Sequence, residues 1–583
     1  MSPARGPAAV LLLCLFGTAP VLAQDTVIVI FPDSARVPLE ERELPRIIAE
    51  EVIRLHNAAS TTRLVGRSRL PAGNEWRGNV AVRTGPVAVA GRIQGSLLVV
   101  NGDVGLEAGA EITGDLIVVG GTVAGLSGAR VGGAVREYRE PLPYRLEGDA
   151  LVYAPNLRRR FRHLGARRSW GDADSRSTIT IATGGTFNRV EGLPLLFGPS
   201  FDWRVGGDVR LRLDALGVFR SAGDLSDARS DLGYLLHTEV RAGEDRVAGL
   251  GLRAFDVVAP VEEWGLRSAE VGWAAFLFHR DYRDYFLSKG VAGRAFVQLE
   301  RPLTLAVEVR REWQTSVSAR DPWTVFRSSQ AWRPNAPVDD GHYLTFAGSV
   351  TLDTRNDRDD PTAGWYLRAS VEDSRSKDVT PQTGVPASVR GPIPTDGSYA
   401  FRRAFLDFRR YTRVSPSGRV NVRLVAGGWL GGDPLPLQRR LSLGGPDPLP
   451  GYPFRHSACR RDIVDPAFAG SLVAACDRVL LFQGEYRGHI KLNWSYDAPD
   501  GADDGDAVIR LENPDLVVFA DAGQAWVVGN GPGRLPSDRL PTLGSWLADV
   551  GLGVDWRGFG FYVAKAVTVG HPLRFTVRLH HRF

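Results

Sequence analysis

The sequence predicts an all-β chain: a C-terminal transmembrane antiparallel β-barrel of sixteen strands, preceded by a small β-solenoid-like module. Three observations predict it. From residue 187 onward, segments of ten or more residues alternate apolar and polar side chains, with charges of both signs on the polar face. Between Gly78 and Val135 a glycine-punctuated apolar pattern repeats. After the first 23 residues no run of 18 apolar residues occurs, so no helix is expected to span a bilayer. In 583 residues the 66 glycines and 37 prolines argue against a long helical bundle. The formal charge of +5 is small, and its arginines are scattered among acids, so no nucleic-acid partner is expected.

Residues 1–23 read as a secretory leader. Arg5 supplies the positive region, Ala8–Phe16 the apolar one, and Val21-Leu22-Ala23 precedes a cut at Gln24. Cys14 follows Leu11-Leu12-Leu13, with no small residue beside it, which disfavours a lipoprotein leader. Cys459 and Cys476 then remain, and export favours a disulfide between them over two free thiols. In residues 25–77, Asp25–Ile30 reads as a strand. Pro45 opens an amphipathic helix to about His56, with Ile47, Ile48, Val52 and Leu55 on one side.

Residues 78–140 carry the repeat. Ile93–Gly102 aligns with Ile112–Gly121, and a third copy lies at Val131–Val135, with a weaker forerunner at Gly78–Val82. One coil cannot bury its Val, Ile and Leu alone, so stacked coils are expected in preference to glycine-punctuated hairpins. The stretch resembles the short β-helical repeats of bactofilin-like polymer-forming proteins. Residues 141–186, with Arg158-Arg159-Arg160, read as a connector on the periplasmic side.

In residues 187–583, Val209, Leu211 and Leu213 oppose Arg210, Arg212 and Asp214. Phe482, Tyr486, Ile490, Leu492 and Trp494 oppose Gln483, Glu485, Arg487, His489 and Lys491. Sixteen candidate strands run from one near Gly192 to one at Leu573–Phe583, with one placed at Ser268. A sheet in lipid must close on itself, because an unpaired edge has no water to satisfy it. In the last strand Phe575, Val577, Leu579, His581 and Phe583 share a face; His581 is expected at an interface.

Phe187-Asn188-Arg189-Val190-Glu191-Gly192-Leu193 resembles the first-strand entry of the Omp85 superfamily, also called the bacterial surface antigen D15 family. Thr351–Asp357 with Pro361 and Gly364-Trp365-Tyr366-Leu367 is similar to its central hairpin. Phe519-Ala520-Asp521-Ala522-Gly523 looks like the strand that faces the long sixth loop, and Gly551 to Phe583 like the closing strands. The resemblance implies an outer-membrane barrel with the N-terminal module in the periplasm. Phe575, Val577, Leu579 and Phe583 would be its terminal assembly signal. It implies a sixth-loop motif at Leu449, Pro450, Gly451 and Tyr452, docking on a wall at Asp521 and Gly523.

Two departures stand out. Pro450 occupies the place of the family's arginine, which in its members reaches the wall near the aspartate matching Asp521. Arg455 is the candidate substitute, and a Cys459–Cys476 bridge would restrict the same loop. Tyr452 reads equally as wall packing or as a direct participant. The 25–140 module is shorter than the family's POTRA arrays and solenoid-like. No hydrolase, zinc-protease, Walker or CxxC motif is present, and Asp353, Asp357, Asp359 and Asp360 match no standard calcium spacing. No enzyme, cofactor or metal is therefore expected. The resemblance implies a protein-assembly or translocation factor with a lateral strand seam; the alternative is a barrel anchor or channel presenting a binding or polymerising module. Expected partners are outer-membrane lipid, including lipopolysaccharide, and either unfolded barrel clients or another envelope protein through residues 25–140.

Overall fold

The computed structural model describes Leu44, 46–138, Leu142, 144–147, 150–153, 165–171, 175–223, 231–243, 246–299, 303–356, 360–382, 397–415, 417–457, Cys459, 474–490, 493–494, 511–512, 514–530, 533–556 and 559–583. The leader, the Asp25–Ile30 strand, the Arg158–Arg160 run, Asp357 and Asp359 lie outside these residues.

Residues 61–138 form a parallel β-solenoid with three sheets, which run through Thr61–Val65, Ser68–Leu70 and Glu75–Arg77 in the first coil. Leu97–Val100 stacks on Leu116–Val119, and that strand on Val135–Tyr138, in the register the repeat predicts. Val80, Val82, Leu97, Val99, Leu116 and Val118 point into the coil interior. Their neighbours Ala81, Leu98, Val100, Ile117 and Val119 point outward, yet are buried beneath Ala49 and Val52 of the helix Arg46–Asn57. Burial on both faces explains why Leu-Leu-Val-Val and Leu-Ile-Val-Val are continuous rather than alternating; each fully buried Val or Leu contributes about 1.5–3 kcal/mol. At the corners a Cβ on Gly102 would stand 2.2 Å from Gly85 O, and one on Gly121 2.1 Å from Gly102 O. Only glycine lets successive coils stack there.

Most of the rest of the described chain is one large sheet of eighteen strands, beside two separate two-stranded pairings at 144–153 and 493–512. Arg534–Leu535 is a short parallel addition to Asp515–Val528, so seventeen strands form an antiparallel meander. Two corrections to the expected sixteen produce this number. Gly165–Gly171 and Ser175–Thr183 belong to the sheet although they fall in the expected connector. Ser268–Phe278, expected as a strand, is an α-helix.

The polarity of the sheet is inverted relative to a water-soluble protein. In Leu303–Ser316, Val307 and Trp313 are 61% and 48% exposed, whereas Glu308, Arg310, Glu312 and Gln314 are buried. Phe482 and Tyr486 are likewise exposed opposite buried Gln483, Glu485 and Arg487. An apolar exterior around a charged interior is stable in lipid, and strands of up to 15 residues, such as Tyr285–Leu299, exceed the ~9–11 that cross a bilayer. No described helix is long and apolar enough to cross a membrane. Tight connections such as 207–208 and 414–417 gather at one end of the meander; long ones, including 261–284, 317–340 and 433–477, gather at the other. The solenoid touches the tight-turn end, where Arg413 Nη1 donates to Thr84 Oγ1 at 3.1 Å.

Candidate functional site: the sixth loop, a lumenal helix and the chain terminus

In the connection 433–477, residues 435–455 turn into the barrel. Leu443-Gly444-Gly445 reverses it, with both glycines at positive φ (109° and 120°), and Leu449 and Tyr452 become fully buried. Gly451 N donates to Asp549 Oδ2 at 2.6 Å, and Tyr452 Oη donates to Ala548 O at 2.9 Å and lies 2.6 Å from Thr568 Oγ1. Gly451 is required by proximity, since a Cβ there would lie 2.7 Å from both Ala566 N and Asp549 Cβ. Gly523 likewise makes room: its Cβ would meet Leu443 Cδ2 at 3.0 Å. Pro450 is buried between these anchors and brings no charge. Cys459 and Cys476 form a disulfide at the loop's base.

Arg455 does not reach Asp521. It is buried at φ 52° and ion-paired with Asp284, and it donates to Glu262 Oε2 at 3.0 Å, both on the connection 261–284. Burial alone would raise the Asp284 carboxyl, but the guanidiniums of Arg333, Arg455 and Arg189 outweigh it and hold it well below the usual carboxylate range. Earlier in the loop, Arg439 stands 3.8 Å from Glu312 and 3.8 Å from Glu372, joining it to the ladder Arg253–Glu308–Arg310–Glu312 of the wall.

The Asp521 position is taken by Arg582. This guanidinium, the penultimate residue's, is hydrogen-bonded to Asp521 and lies 3.7 Å from the centroid of the Phe519 ring. The last strand is Arg574–Arg578, not Leu573–Phe583. After Arg578 the chain leaves the sheet; His581, Arg582 and Phe583 are buried. Phe575 and Val577 remain on the exposed face, but Phe583 does not share it, and Leu579 lies past the strand's end, half-buried. His581, expected at an interface, is instead 3.1 Å from Asp555 Oδ2 and 3.2 Å from Asp360 Oδ1.

The helix Ser268–Phe278 completes the site. Glu270 receives Arg578 Nε at 2.7 Å and Nη2 at 3.1 Å, and Leu579 N at 3.0 Å. Arg578 Nη1 also donates to Asp447 Oδ1 of the sixth loop at 2.7 Å. Two residues on, Gly272 packs so closely on Thr186 and Phe187 that a Cβ would lie 2.5 Å from Thr186 Cβ. The helix thus touches the chain just after the second strand of the sheet and, through Glu270, the last. Among the described residues no hydrogen-bonded ladder joins Arg574–Arg578 to Gly165–Gly171.

The structure therefore brings Leu449, Gly451, Tyr452, Asp521 and Gly523 to one region and sends Arg455 to another. Reading the sequence did not identify Asp549, Glu270, Asp447, Glu262, Asp284 or the inward role of Arg578 and Arg582. The only available sign of the last two was their place on the polar face of the final segment.

No family model matches the sequence, and no curated protein does. Among solved structures, the chain is similar to BamA from Haemophilus ducreyi lacking POTRA domains 1–3, at 11% identity over 75% of this chain and 79% of that one, with a TM-score of 0.37. It is similar to CdiB from Acinetobacter baumannii at 11% identity over 75% and 70%, TM-score 0.25. It also matches the ferric-catecholate import receptor Fiu from E. coli K12 at 12% identity over 71% and 78%, TM-score 0.23.

Proposed function

We propose that this chain is an outer-membrane assembly or translocation factor that works through a lateral strand seam, without covalent chemistry, with its solenoid in the periplasm. The observation that carries the reading is the state of the last strand. It is five residues long and, among the described residues, laddered on one side only; its last residue, Arg578, is ion-paired to Glu270 and Asp447, and beyond it Arg582 is ion-paired to Asp521. A strand secured at a few points can be released, and its freed N–H and C=O groups can template an incoming strand by edge pairing. The tight-turn end, where the solenoid sits, is the end that faces the periplasm in barrels of this kind. Unfolded barrel chains are the partners this mechanism takes, with outer-membrane lipid around the wall.

The test is the folding rate of an unfolded outer-membrane barrel in liposomes with and without this protein, itself first shown to be folded by heat-dependent gel mobility. Acceleration that disappears when a disulfide ties residues 574–578 to the opposite edge supports the seam. Absence of acceleration for several clients refutes it and favours the second reading, a barrel anchor presenting the solenoid to another envelope protein. The Arg413–Thr84 contact favours that reading, because it holds the module against the barrel.

A further inference from the structure

At the long-loop end, the helix Ser268–Phe278 and the connection 317–340 build an aromatic lip that the seam does not use. Phe276 packs edge-on against Phe187, Trp273 and Trp323, with centroids 5.3, 6.1 and 6.1 Å away, and Phe278 stacks on Phe326 at 5.9 Å. Backbone bonds from Val325 N to Phe276 O and from Phe326 N to Leu277 O, both 3.0 Å, fix the two segments together. The packing is orderly, yet the outer surfaces are bare: Trp323 is 55%, Phe326 54% and Phe278 51% exposed, with Trp273 and Val325 also exposed. At ~200 Å² per aromatic side chain this is an apolar patch of roughly 450 Å², large enough to mark an interaction surface.

Two arginines edge it. Arg280 follows His279, the C-cap of the helix, and Arg327 follows Phe326, held at φ 61°; both are exposed and make no ion pair among the described residues. Asp321 is the exposed carboxylate nearby. Elsewhere in this region the arginines are spent on buried carboxylates, as Arg333 is on Asp284 and Arg320 on Asp231. The connection also emerges from the strand Leu303–Ser316, whose exposed face bears Val309 and Trp313.

We propose that this lip binds a phosphorylated glycolipid of the outer leaflet, with acyl chains against Trp273, Phe278, Trp323 and Phe326 and phosphates on Arg280 and Arg327. Aromatic faces beside unpaired guanidiniums match a ligand that is apolar and anionic within a few ångströms; a neutral lipid would leave the arginines unanswered, and a soluble anion would leave the rings bare. The inference rests on the outer-membrane placement proposed above.

The full chain, folded in neutral detergent micelles and checked by heat-dependent mobility, is titrated with fluorescent lipopolysaccharide and with the same material after phosphatase treatment. The expected result is at least tenfold tighter binding of the phosphorylated form. That preference disappears in R280Q/R327Q, and W323A/F326A weakens both forms. These side chains are exposed, so the variants should fold. Arginine variants that bind like the parent overturn the proposal, as do aromatic variants that bind unchanged. So does a parent that migrates as a dimer which W323A/F326A dissolves, since the occupant is then a second copy. A chain that fails to fold in micelles instead refutes the membrane placement, which keeps the two failures apart.

Discussion

Replacing Glu270 by Ala should free the end of the chain without unfolding the barrel. Arg578 is buried and makes three carboxylate hydrogen bonds, two to Glu270 and one to Asp447. Removing one partner of a buried pair costs about 3–5 kcal/mol, and the surviving Asp447 bond points to the lower end, about 3 kcal/mol. Leu579 N loses its acceptor as well. Since ~1.4 kcal/mol is tenfold, the local opening equilibrium of residues 574–583 should rise about a hundredfold. Amide hydrogen exchange measures this directly: peptides from 574–583 should exchange about a hundred times faster, while the strand Leu303–Ser316 keeps its protection. Glu270→Gln, which preserves shape and removes charge, should fall between. Unchanged exchange at 574–583 in a folded barrel would refute the clasp, and so would equal acceleration in every strand, because the effect would then be global.

The remaining expectations concern the sixth loop and the solenoid. Gly451→Ala forces its new methyl group into Ala566 N and Asp549 and should loosen the loop by about 2–4 kcal/mol, read as new protease cleavage within 433–477 while barrel mobility stays intact. Arg455→Ala should cost about 3–5 kcal/mol and expose the same loop, since it strips Asp284 and Glu262 of a buried cation. The pH dependence follows from the depressed Asp284 carboxyl. Such a group stabilises the fold above its unfolded value and loses that effect only as pH falls through the folded one, so loop protection should persist from neutral pH to about pH 4. Reducing the Cys459–Cys476 bridge, which spans 17 residues, should destabilise the loop by up to about 3 kcal/mol, seen as a lower protease threshold. Gly102→Ala collides with Gly85 O and should abolish the cooperative unfolding transition of the solenoid while the barrel remains heat-modifiable.

What the sequence disclosed depended on how many neighbours each residue has to satisfy. The solenoid register was legible because every coil repeats the same burial, and the barrel because lipid outside and charge inside force a period of two. Ser268–Phe278 was misread for the same reason: Trp273, Phe276 and Phe278 are bulky and apolar, the last two spaced as on a strand, and no polar stripe marks a helix. Only Glu270 breaks the run, and its partner Arg578 lies more than three hundred residues away. Ser175–Thr183 could have been found, since Thr178-Ile179-Thr180-Ile181 alternates and its isoleucines are exposed. The final segment alternates to Phe583 yet leaves the sheet at Arg578, because Asp521, Asp555 and Glu270 draw its cations inward. Such partners come from three other stretches of chain and leave no local trace.

The missing charge at position 450 is best understood together with those inward cations. Gly451 binds Asp549, whose register partner on the neighbouring strand is Asp521, and Arg582 holds Asp521. Two facing carboxylates are thus served by one guanidinium and one backbone N–H, the first from the chain end and the second from the loop. If the terminus supplies the cation that the loop lacks, Arg582→Ala should leave Asp521 buried without its cation and loosen both the tail and residues 449–452, by about 3 kcal/mol at the tail. Pro450→Arg in that background should restore loop protection, because the new guanidinium starts one residue from the Asp549 contact. It should not restore the tail, which keeps only its Arg578 and His581 contacts. Protease mapping of 433–477 and hydrogen exchange at 574–583 read the two separately. Recovery of both segments would show that the tail is held by general packing and not by its own charge; recovery of neither would show that the Asp521–Asp549 pair does not join the loop to the chain end.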